Sequence, residues 1–402
     1  MALNAREHRA HLLATLRLQY PDIRSDRGVH LLDPATGDPF ADDQHHLVAT
    51  CRVTMGFALG ALVDGPQWCS ETAAHALEAL ETAHRGNETD GYQLLVDGNG
   101  DPIDRTRSAY AHAFVLGAYA RATAANVAGA RSGLEDSVTV LDERFVEANG
   151  LFRSDCDPDW SEREPYRGMN ANMHACEGYL AAYEATDDER FLERAETIAH
   201  RITIDLAAET DGLLWEHYTD EWTHDFAYNE DRPADRFRPP GYLPGHHAEW
   251  AKFLGLLDRY GASPPSGTDW YRRATELFEA AVDLGWTGDG FVYTADADGE
   301  VLVPDRYGWA LAEAIGASAV LAERAVAHDD PEAETFRDWH EQFLECVPRF
   351  RGPAGLWYER RTAPADGDEP IAPDPPAVEP DYHPATAWYE SFRSAALVEQ
   401  QR

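Results

Sequence analysis

The chain has 402 residues, of which 44% are hydrophobic and 26% are charged, a globular composition that excludes a disordered polymer. Its 72 Asp and Glu residues outnumber its 34 Lys and Arg residues, the net charge is −38, and Lys252 is the only lysine. Such an acidic chain repels nucleic-acid phosphates, and its longest uncharged apolar stretch, residues 53–63, is shorter than the roughly 20 residues that span a bilayer. We therefore expect neither a nucleic-acid nor a membrane partner.

Most of the chain predicts helix. Apolar residues recur at three- and four-residue spacing, among many Ala, Leu and Glu, in nine segments: residues 47–63, 70–84, 107–125, 173–185, 188–205, 246–260, 269–284, 309–327 and 335–346. A strand at residues 290–295 with a turn at Asp298-Gly299 predicts a β-hairpin. The Pro- and Asp-rich stretch 363–380 predicts a long surface loop before a last helix.

The spacing of these segments predicts the architecture. Twelve helices in 402 residues leave about 33 residues for each helix and its loop, which suits stacked helical hairpins. An open solenoid is the alternative, but polar clusters that recur at helix starts favour a closed ring. We expect an all-α fold, an (α/α)6 barrel of six helical hairpins with short β-hairpins in its loops. Residues 1–402 would form a single catalytic domain.

The first polar cluster lies in the segment Asn170-Ala-Asn-Met-His-Ala-Cys-Glu177. If a helix begins near Gly168, then Asn170, His174 and Glu177 fall at i, i+4 and i+7 and share one face. A solvated polar stripe is the alternative interpretation. Histidine and asparagine are poor choices for such a stripe in a chain so rich in glutamate, which favours a functional face.

The second cluster is Pro244-Gly-His-His-Ala-Glu249. Pro-Gly breaks the chain just before a helix, so His246 lies in the first turn and Glu249, at i+3, is within reach of its imidazole. The positive end of the helix disfavours the imidazolium and the carboxylate favours it, a balance that suits acid–base work. A histidine that only caps the helix is the alternative.

Two further positions carry polar chemistry in unusual surroundings. His383 precedes Pro384, and because proline fits the first helical turn, His383 is expected near the N-cap of the last helix, where a neutral imidazole can accept a proton. Arg52 stands on an otherwise uncharged helix. A buried guanidinium there would need a carboxylate or an oxygen-rich ligand such as a sugar. Exposure on the outer face is the alternative for Arg52.

A metal centre is not predicted. His174 and Glu177, like His246 and Glu249, have a spacing that metal ligands use, but i, i+3 pairs of His and Glu are common on helices. The sequence has no HExxH motif, no DxDxDG loop and no CxxC pair of cysteines.

The composition also predicts the cellular setting. An acid excess of this size repels itself unless counterions screen it, and the Debye length falls to about 3 Å in 1 M salt. The five cysteines are scattered without a CxxC pair, which predicts reduced thiols. The first residues carry charges where a signal peptide needs an apolar run. We expect the cytoplasm of a halophile, with an ordinary acidic protein as the alternative.

These motifs together resemble the N-acylglucosamine 2-epimerase superfamily, and within it the mannose isomerase and sulfoquinovose isomerase branch. The matching segments occur in family order: Tyr110-Ala-His-Ala-Phe114, Asn170-Ala-Asn-Met-His174-x-x-Glu177, Pro244-Gly-His246-x-x-Glu249-Trp-Ala-Lys252, Trp309-x-x-Ala-Glu313-Ala-Ile315 and Tyr382-His383. The resemblance implies an (α/α)6 barrel without metal or organic cofactor. It implies an aldose–ketose isomerase acting on a free monosaccharide.

The resemblance also implies roles for individual residues. The catalytic residues would be His246 and His383, with His174 and Glu249 beside them. The positions implied to bind substrate are Arg52, Tyr110, Asn170, Glu177 and Trp309. The setting of Glu379-Pro380 does not suit a sulfonate, so a neutral sugar such as mannose, fructose or lyxose is favoured over sulfoquinovose.

Three other functions remain open at this stage. A sugar 2-epimerase would use the same pair of histidines. A glycoside hydrolase would need paired carboxylates, whereas each carboxylate in these motifs is paired with a histidine. A sugar-binding module would leave the histidines at the helix starts unexplained. The sequence is compatible with a monomer or a homodimer.

Overall fold

The computed structural model describes residues 3–40, 43–85, 90–233, 235–263, 267–375 and 377–401. These residues form twelve α-helices: α1 Ala5–Gln19, α2 Leu47–Leu62, α3 Gln67–Ala79, α4 Ala109–Ala124, α5 Ala130–Val140, α6 Met169–Thr186, α7 Glu189–His200, α8 Pro244–Arg259, α9 Trp270–Gly285, α10 Gly308–Ala327, α11 Ala333–Phe350 and α12 Tyr382–Gln400. Short π-helical segments extend α3, α5 and α7. The number of helices is the predicted twelve. The helices α1 and α5 are the two that lie outside the nine periodic segments and the predicted last helix.

The helices form two concentric layers around one axis. The inner helices α2, α4, α6, α8, α10 and α12 each pack on the next, and α12 packs on α2 to close the ring. The outer helices α3, α5, α7, α9 and α11 each pack on the inner helix that precedes them, and α1 packs on α12. The predicted (α/α)6 barrel is confirmed. Its sixth hairpin joins the first helix to the last.

The sequence of each helix fits its layer. An inner helix is surrounded on all sides, and α2 is accordingly buried from Leu47 to Gly60 without a break. An outer helix has one buried stripe, as in α7, where Phe191, Ala195 and Ile198 are buried at i, i+4 and i+7. Small residues let inner helices approach each other: a Cβ on Gly117 of α4 would lie 2.8 Å from Cε of Met55 on α2.

Short strands occupy the loops, as predicted. They are β1 Leu31–Leu32, β2 Pro39–Phe40, β3 Gln44–His46, β4 Leu95–Asp97, β5 Pro102–Asp104, β6 Arg107–Ser108, β7 Asp155–Cys156, β8 Tyr166–Gly168, β9 His217–Thr219, β10 Val292–Ala295, β11 Val301–Tyr307, β12 Arg360–Arg361 and β13 Pro370–Ile371. All the pairings between them are antiparallel, in the orders β1-β2, β3-β4-β5, β6-β7, β8-β9 and β10-β11-β12-β13.

The strands set where the inner helices begin. Strands β3, β6, β8 and β11 run directly into α2, α4, α6 and α10 with no intervening residue. The predicted hairpin is β10 and β11, in which Val292 lies opposite Arg306 and Ala295 opposite Val301. Because these sheets lie at the start of inner helices, they fix the N-terminal turns of the ring at one end of the barrel.

The stretch 363–380 lies at the surface from residue 364 to residue 375, as predicted, but its last part does not. Within its described part, Pro364–Asp366 forms a 3-10 turn and β13 joins the four-stranded sheet. Ala377 and Val378 are 4% and 6% exposed, so the last part of the stretch is buried against the barrel. We call residues 377–381 the strap. Its polar side chains have partners inside the barrel, which a count of Pro and Asp does not reveal.

Two further sequence expectations concern the chain as a whole. All five cysteines are buried and carry free thiols, as their scattered spacing predicts. Among the residues described, none of the helices is both long enough and apolar enough to cross a bilayer.

Buried ion pairs occupy the end of the barrel where the inner helices finish. Arg259 at the end of α8 is 6% exposed and donates to Glu323 at 3.1 Å and to Glu390 at 3.1 Å. Arg393 contacts Glu390 and Glu184, so the network joins α6, α8, α10 and α12. Buried pairs are screened by salt much less than surface pairs. The network therefore holds this end of the ring together in concentrated salt.

Replacing Arg259 with methionine tests the network. Arg259→Met leaves two buried carboxylates without this partner, and we expect the free energy of unfolding to fall by about 3–5 kcal/mol. Chemical denaturation followed by circular dichroism measures this change. The matched control is Arg272→Met on α9, whose pair with Glu276 is 77% and 41% exposed, and for which we expect a loss below about 1 kcal/mol. Equal losses in the two variants would contradict a stabilising role for the buried network.

Candidate active site

A cavity of about 560 Å³ opens at the end of the barrel where the inner helices begin. Every inner helix contributes a side chain to its lining from its first two turns. These side chains are Arg52, Tyr110, Asn170, His174, His246, Glu249, Trp309 and His383. The predicted site residues therefore lie together, with Glu177 one turn deeper on α6.

Helix register explains why these positions converge. Tyr110, Asn170, Trp309 and His383 are each the second residue of an inner helix. Arg52, His174, Glu249 and Glu313 are each the sixth residue of an inner helix. Residues four apart lie on one face of a helix, so in a closed ring these two positions face the same axis. His246, the third residue of α8, contributes from the same turn.

His246 is held by a residue that the sequence does not predict. Its Nδ1 lies 2.8 Å from Oε1 of Glu216, which directly precedes β9. The expectation that Glu249 holds His246 is wrong, because Nδ1 faces the loop before β9 while Glu249 projects toward the barrel axis. The ring of Trp309 packs at 5.1 Å from the imidazole. With Nδ1 bonded to a carboxylate, Nε2 of His246 is left for the cavity.

His383 has the same arrangement on the opposite side of Trp309. Its Nδ1 lies 2.8 Å from Oε1 of Glu313, and its Nε2 lies 3.2 Å from Nη2 of Arg52. Burial and the Arg52 charge lower the pKa of His383 well below its ordinary value. A neutral imidazole that donates from Nδ1 to a carboxylate keeps a lone pair on Nε2, where it can accept a proton.

His174 lies on the floor of the cavity. Its Nδ1 is 3.0 Å from Oε2 of Glu177 and 3.9 Å from Oε1 of Glu249. The hydroxyl of Tyr382 donates to the other oxygen of Glu177, across the ring from α12 to α6. Burial lowers the pKa of His174 despite the carboxylate of Glu177. The predicted polar face of α6 thus points inward.

Arg52 is buried in the site, and the outer-face alternative is wrong. Its Nη1 donates to the backbone oxygen of Val378 at 3.1 Å and to Oε2 of Glu379 at 3.0 Å, and its Nη2 donates to the hydroxyl of Tyr110 at 3.2 Å. Oε1 of Glu379 accepts from the backbone N–H groups of Tyr382 and His383, at 2.6 and 3.2 Å. Glu379 therefore caps α12 and joins the strap to the guanidinium.

Three buried polar atoms of this site lack a protein partner in the described part of the chain. They are Nε of Arg52, Oδ1 of Asn170 and Oε1 of Glu249. Burial and the charge of Glu313 raise the pKa of Glu249 well above its ordinary value, which favours a carboxylic acid that can donate. A buried polar group without a partner costs free energy. A ligand with several hydroxyl groups would satisfy all three.

Several residues that complete the site have no role in the predictions made from the sequence. Glu216 holds His246, Glu313 holds His383, and the Lys252 ammonium contacts Glu313. At the mouth, Arg236 donates to Glu359 and to the backbone of Asp374, so it joins two loops. Lys252 could have been noticed in the sequence, because it is the only lysine of the chain. Nothing in the sequence marks Glu216, because a long loop separates it from α8.

Among the described residues, two groups of side chains have ligand atoms close enough to share a metal ion. They are His174, Glu177 and Glu249, and Glu249, Glu313 and His383, with ligand atoms within 4.8 Å of one another. The ammonium of Lys252 already contacts Glu313, and the guanidinium of Arg52 lies beside the same cavity. A metal ion would compete with this ammonium for Glu313. In the second group, Glu313 is therefore already engaged by a cation of the chain itself.

Known proteins are similar to this chain in sequence and in fold. The profile of the family described as N-acylglucosamine 2-epimerase (GlcNAc 2-epimerase) matches residues 30–387. The D-mannose isomerase of Thermobifida fusca is 38% identical over 359 residues, 87% of this chain and 84% of that protein. The D-mannose isomerase of Marinomonas mediterranea is 31% identical over 397 residues, 96% of this chain and 97% of that protein.

Solved structures agree with these sequence matches. A crystal structure of a D-mannose isomerase superimposes with a TM-score of 0.88 at 30% identity and covers 98% of this chain and 99% of that one. Cellobiose 2-epimerase from Spirochaeta thermophila has a TM-score of 0.81 at 19% identity over 98% of each chain, which shows the fold alone. On the extent of the profile match and of these alignments, the chain belongs to the N-acylglucosamine 2-epimerase family.

Proposed function

We propose that this protein is an aldose–ketose isomerase that interconverts a free monosaccharide pair such as mannose and fructose, without a metal or organic cofactor. One observation carries the proposal. His246 and His383 each bond a buried carboxylate through Nδ1, and Nε2 of each is directed to one cavity. The D-mannose isomerases that are similar over most of the chain support the same reaction. We further propose that the whole chain is one catalytic domain.

The reaction moves one proton between neighbouring carbons. Nε2 of His383 removes the proton from C2 of the open-chain aldose, the C–H electrons form the C1–C2 double bond, and the C1=O1 π electrons move to O1 to give a cis-enediolate. The imidazolium then returns the proton to C1, on the same face of the enediolate. His246 assists ring opening, and it moves the hydroxyl protons so that O1 gains a proton and O2 becomes the carbonyl oxygen. Positioned groups of this kind each contribute about 10²- to 10⁴-fold.

The rest of the cavity stabilises the charge that develops. Arg52 is placed to donate to the enediolate oxygens, while the lone pair on Nε2 of neutral His174 can accept from a sugar hydroxyl. Asn170 and Glu249 supply the polar atoms that lack a protein partner, and Tyr110 and Trp309 complete the walls. These groups would hold the open-chain sugar with C2 beside His383.

The charge at the cavity favours a neutral sugar. Glu379 faces the cavity from the strap, and Glu359 lines it on the same side. Burial raises the pKa of Glu379 to about 7, and Arg52 opposes that rise. A sulfonate or a carboxylate on the substrate would meet these acidic groups. A neutral hexose would meet only hydrogen-bond partners.

Isotope exchange separates the proposed reaction from its alternatives. When mannose is incubated with the protein in D₂O, we expect NMR to show fructose with deuterium at C1, because the shuttled proton exchanges with solvent on the imidazole. A second aldose labelled at C2 would instead identify a 2-epimerase. Reducing sugar released from an oligosaccharide would identify a glycoside hydrolase. Absence of turnover across a panel of free aldoses and ketoses would contradict the proposal.

Substitution of the two histidines tests their roles. We expect His383→Ala and His246→Ala each to lower kcat for mannose-to-fructose conversion by about 10²- to 10⁴-fold, because each removes a proton-transfer group. The control is His328→Ala, since His328 is 41% exposed and pairs with Asp258 outside the cavity. We expect this variant to stay within about twofold of the original rate. Near-normal turnover in either cavity variant removes that histidine from the mechanism.

We also propose that the protein works in the cytoplasm of a cell that holds concentrated salt. The support is the net charge of −38 together with 33 arginines and one lysine among the 34 basic residues. Arginine keeps its charge at any physiological pH and binds carboxylates through two N–H groups. Cations in solution would screen the remaining excess of acid.

Salt should stabilise the fold. Between about 0.1 M and about 3 M KCl, the Debye length falls from about 10 Å to below about 3 Å, and repulsion between surface carboxylates is removed. We expect the midpoint of thermal unfolding to rise by at least about 5 °C over this range. A scan of near-ultraviolet circular dichroism measures it. A midpoint that is constant or falls with KCl would identify an ordinary acidic protein.

A further inference from the structure

The single lysine of the chain lies beneath the active site. Of the 34 basic residues only Lys252 is not an arginine, and its side chain is 3% exposed. It is the ninth residue of α8, one turn below Glu249 and two turns below His246. A chain that uses arginine at every other basic position retains an ammonium here, at the centre of the ring.

The surroundings of Lys252 fit an ammonium. Gly316 of α10 makes room for its stem, because a Cβ there would lie 3.2 Å from Cδ of Lys252. The ring of Phe253 lies 4.7 Å from Nζ. An ammonium is a compact point charge, whereas a guanidinium is planar and needs space for a fork of five N–H groups. The channel between α8 and α10 suits the smaller group.

The ammonium is connected to the reacting histidine through one carboxylate. Nζ of Lys252 donates to Oε2 of Glu313, and Oε1 of Glu313 lies 2.8 Å from Nδ1 of His383. The other charged or titratable groups that act on Lys252 are Glu249 on its own helix and Glu177 on α6. His174 on α6 also acts on Glu313 and lowers the pKa of that carboxyl group. Lys252 therefore supplies the ammonium that contacts Glu313, while the charge of Arg52 also acts on Glu249.

We propose that Lys252 is a positioning residue: its ammonium keeps Glu313 ionised, so that Glu313 fixes the Nδ1–H tautomer of His383 and keeps Nε2 unprotonated and able to take the substrate proton. Lys252 acts through Glu313 and does not touch the sugar. The kinetic part of this inference depends on the proposed isomerase function, whereas the ionisation part does not.

Electrostatics gives the reason why the ammonium is needed. Burial raises the pKa of Glu313, and the adjacent ammonium opposes this effect. Burial lowers the pKa of Lys252, but the surrounding carboxyl groups, Glu313 first, outweigh it and the net shift is upward. The direct contact between Nζ and Oε2 of Glu313 favours the ionised pair. Without the ammonium, Glu313 would gain a proton at a higher pH and would no longer favour the N–H of His383.

The charge of Lys252 can be read directly, because no other lysine contributes to the spectrum. In protein grown with ¹³C-labelled lysine, NMR shows a single Cε signal whose shift depends on whether Nζ is an ammonium or an amine. We expect the ammonium form at every pH from about 6 to about 9, since a paired lysine retains its proton beyond this range. A signal that titrates to the amine form within it overturns the proposal. This measurement needs neither substrate nor a variant.

The kinetic test compares Lys252→Met with Lys252→Arg. We expect Lys252→Met to lower kcat by about 10- to 100-fold and to change KM by less than about threefold. Loss of the positive charge makes both Glu313 and His383 easier to protonate, so the acid limb of the kcat profile should move to higher pH. Lys252→Arg retains the charge, and we expect it to leave the acid limb where it is in the original protein even if misplacement lowers kcat.

The outcomes distinguish this inference from the proposed function. An original protein without turnover contradicts the isomerase function, while the NMR signal still tests the ionised pair. A folded Lys252→Met variant with near-normal kcat and an unmoved acid limb contradicts the positioning role. A variant that loses kcat with an unmoved acid limb shows a merely structural lysine, which also contradicts it. Should Lys252→Met fail to fold, the Cε signal of the original protein decides.

Discussion

The candidate active site depends on closure of the inner ring of helices. Six helices start at the same end of the barrel, and each contributes a polar side chain from its first two turns. None of these helices could keep a histidine, arginine or glutamate buried on its own, because an isolated buried polar group is costly. Only when the ring closes do the groups become partners of one another, as when Tyr382 of α12 reaches Glu177 of α6.

Pairing of opposite charges inside the ring sets the chemistry. Each histidine of the cavity is bonded through Nδ1 to a glutamate, and Arg52 and Lys252 contact two further carboxylate oxygens. A carboxylate on Nδ1 selects the tautomer whose Nε2 has a lone pair, which is the form that accepts a proton. The same partnership makes paired carboxylates unavailable for the acid and nucleophile roles of glycoside hydrolysis. The site is therefore suited to moving protons on a free sugar.

The sequence predicts the fold better than it predicts the contacts of the site. Helical periodicity and turn signals are local properties, so the helical hairpins could be predicted from them. The polar clusters at helix starts favoured the closed ring, with Asn170 and His174 on its inward face. The partner of His246 could not be predicted. Glu249 has the right spacing along α8, but Glu216 reaches the imidazole from a different loop, and this depends on how that loop folds back. The strap was also missed, because Glu379 gains its role only from contact with Arg52.

The sixth hairpin brings the first and the last of the described helices together. α12 packs between α10 and α2 of the ring with α1 on its outer side, and it carries His383. Until α12 docks, the cavity lacks one wall and the proposed proton acceptor. The contacts of α12 with α1 and α2 join residues far apart in the sequence, and such contacts form slowly. Closure of the barrel and the start of turnover therefore coincide. Activity would then report completed folding more strictly than helix content does.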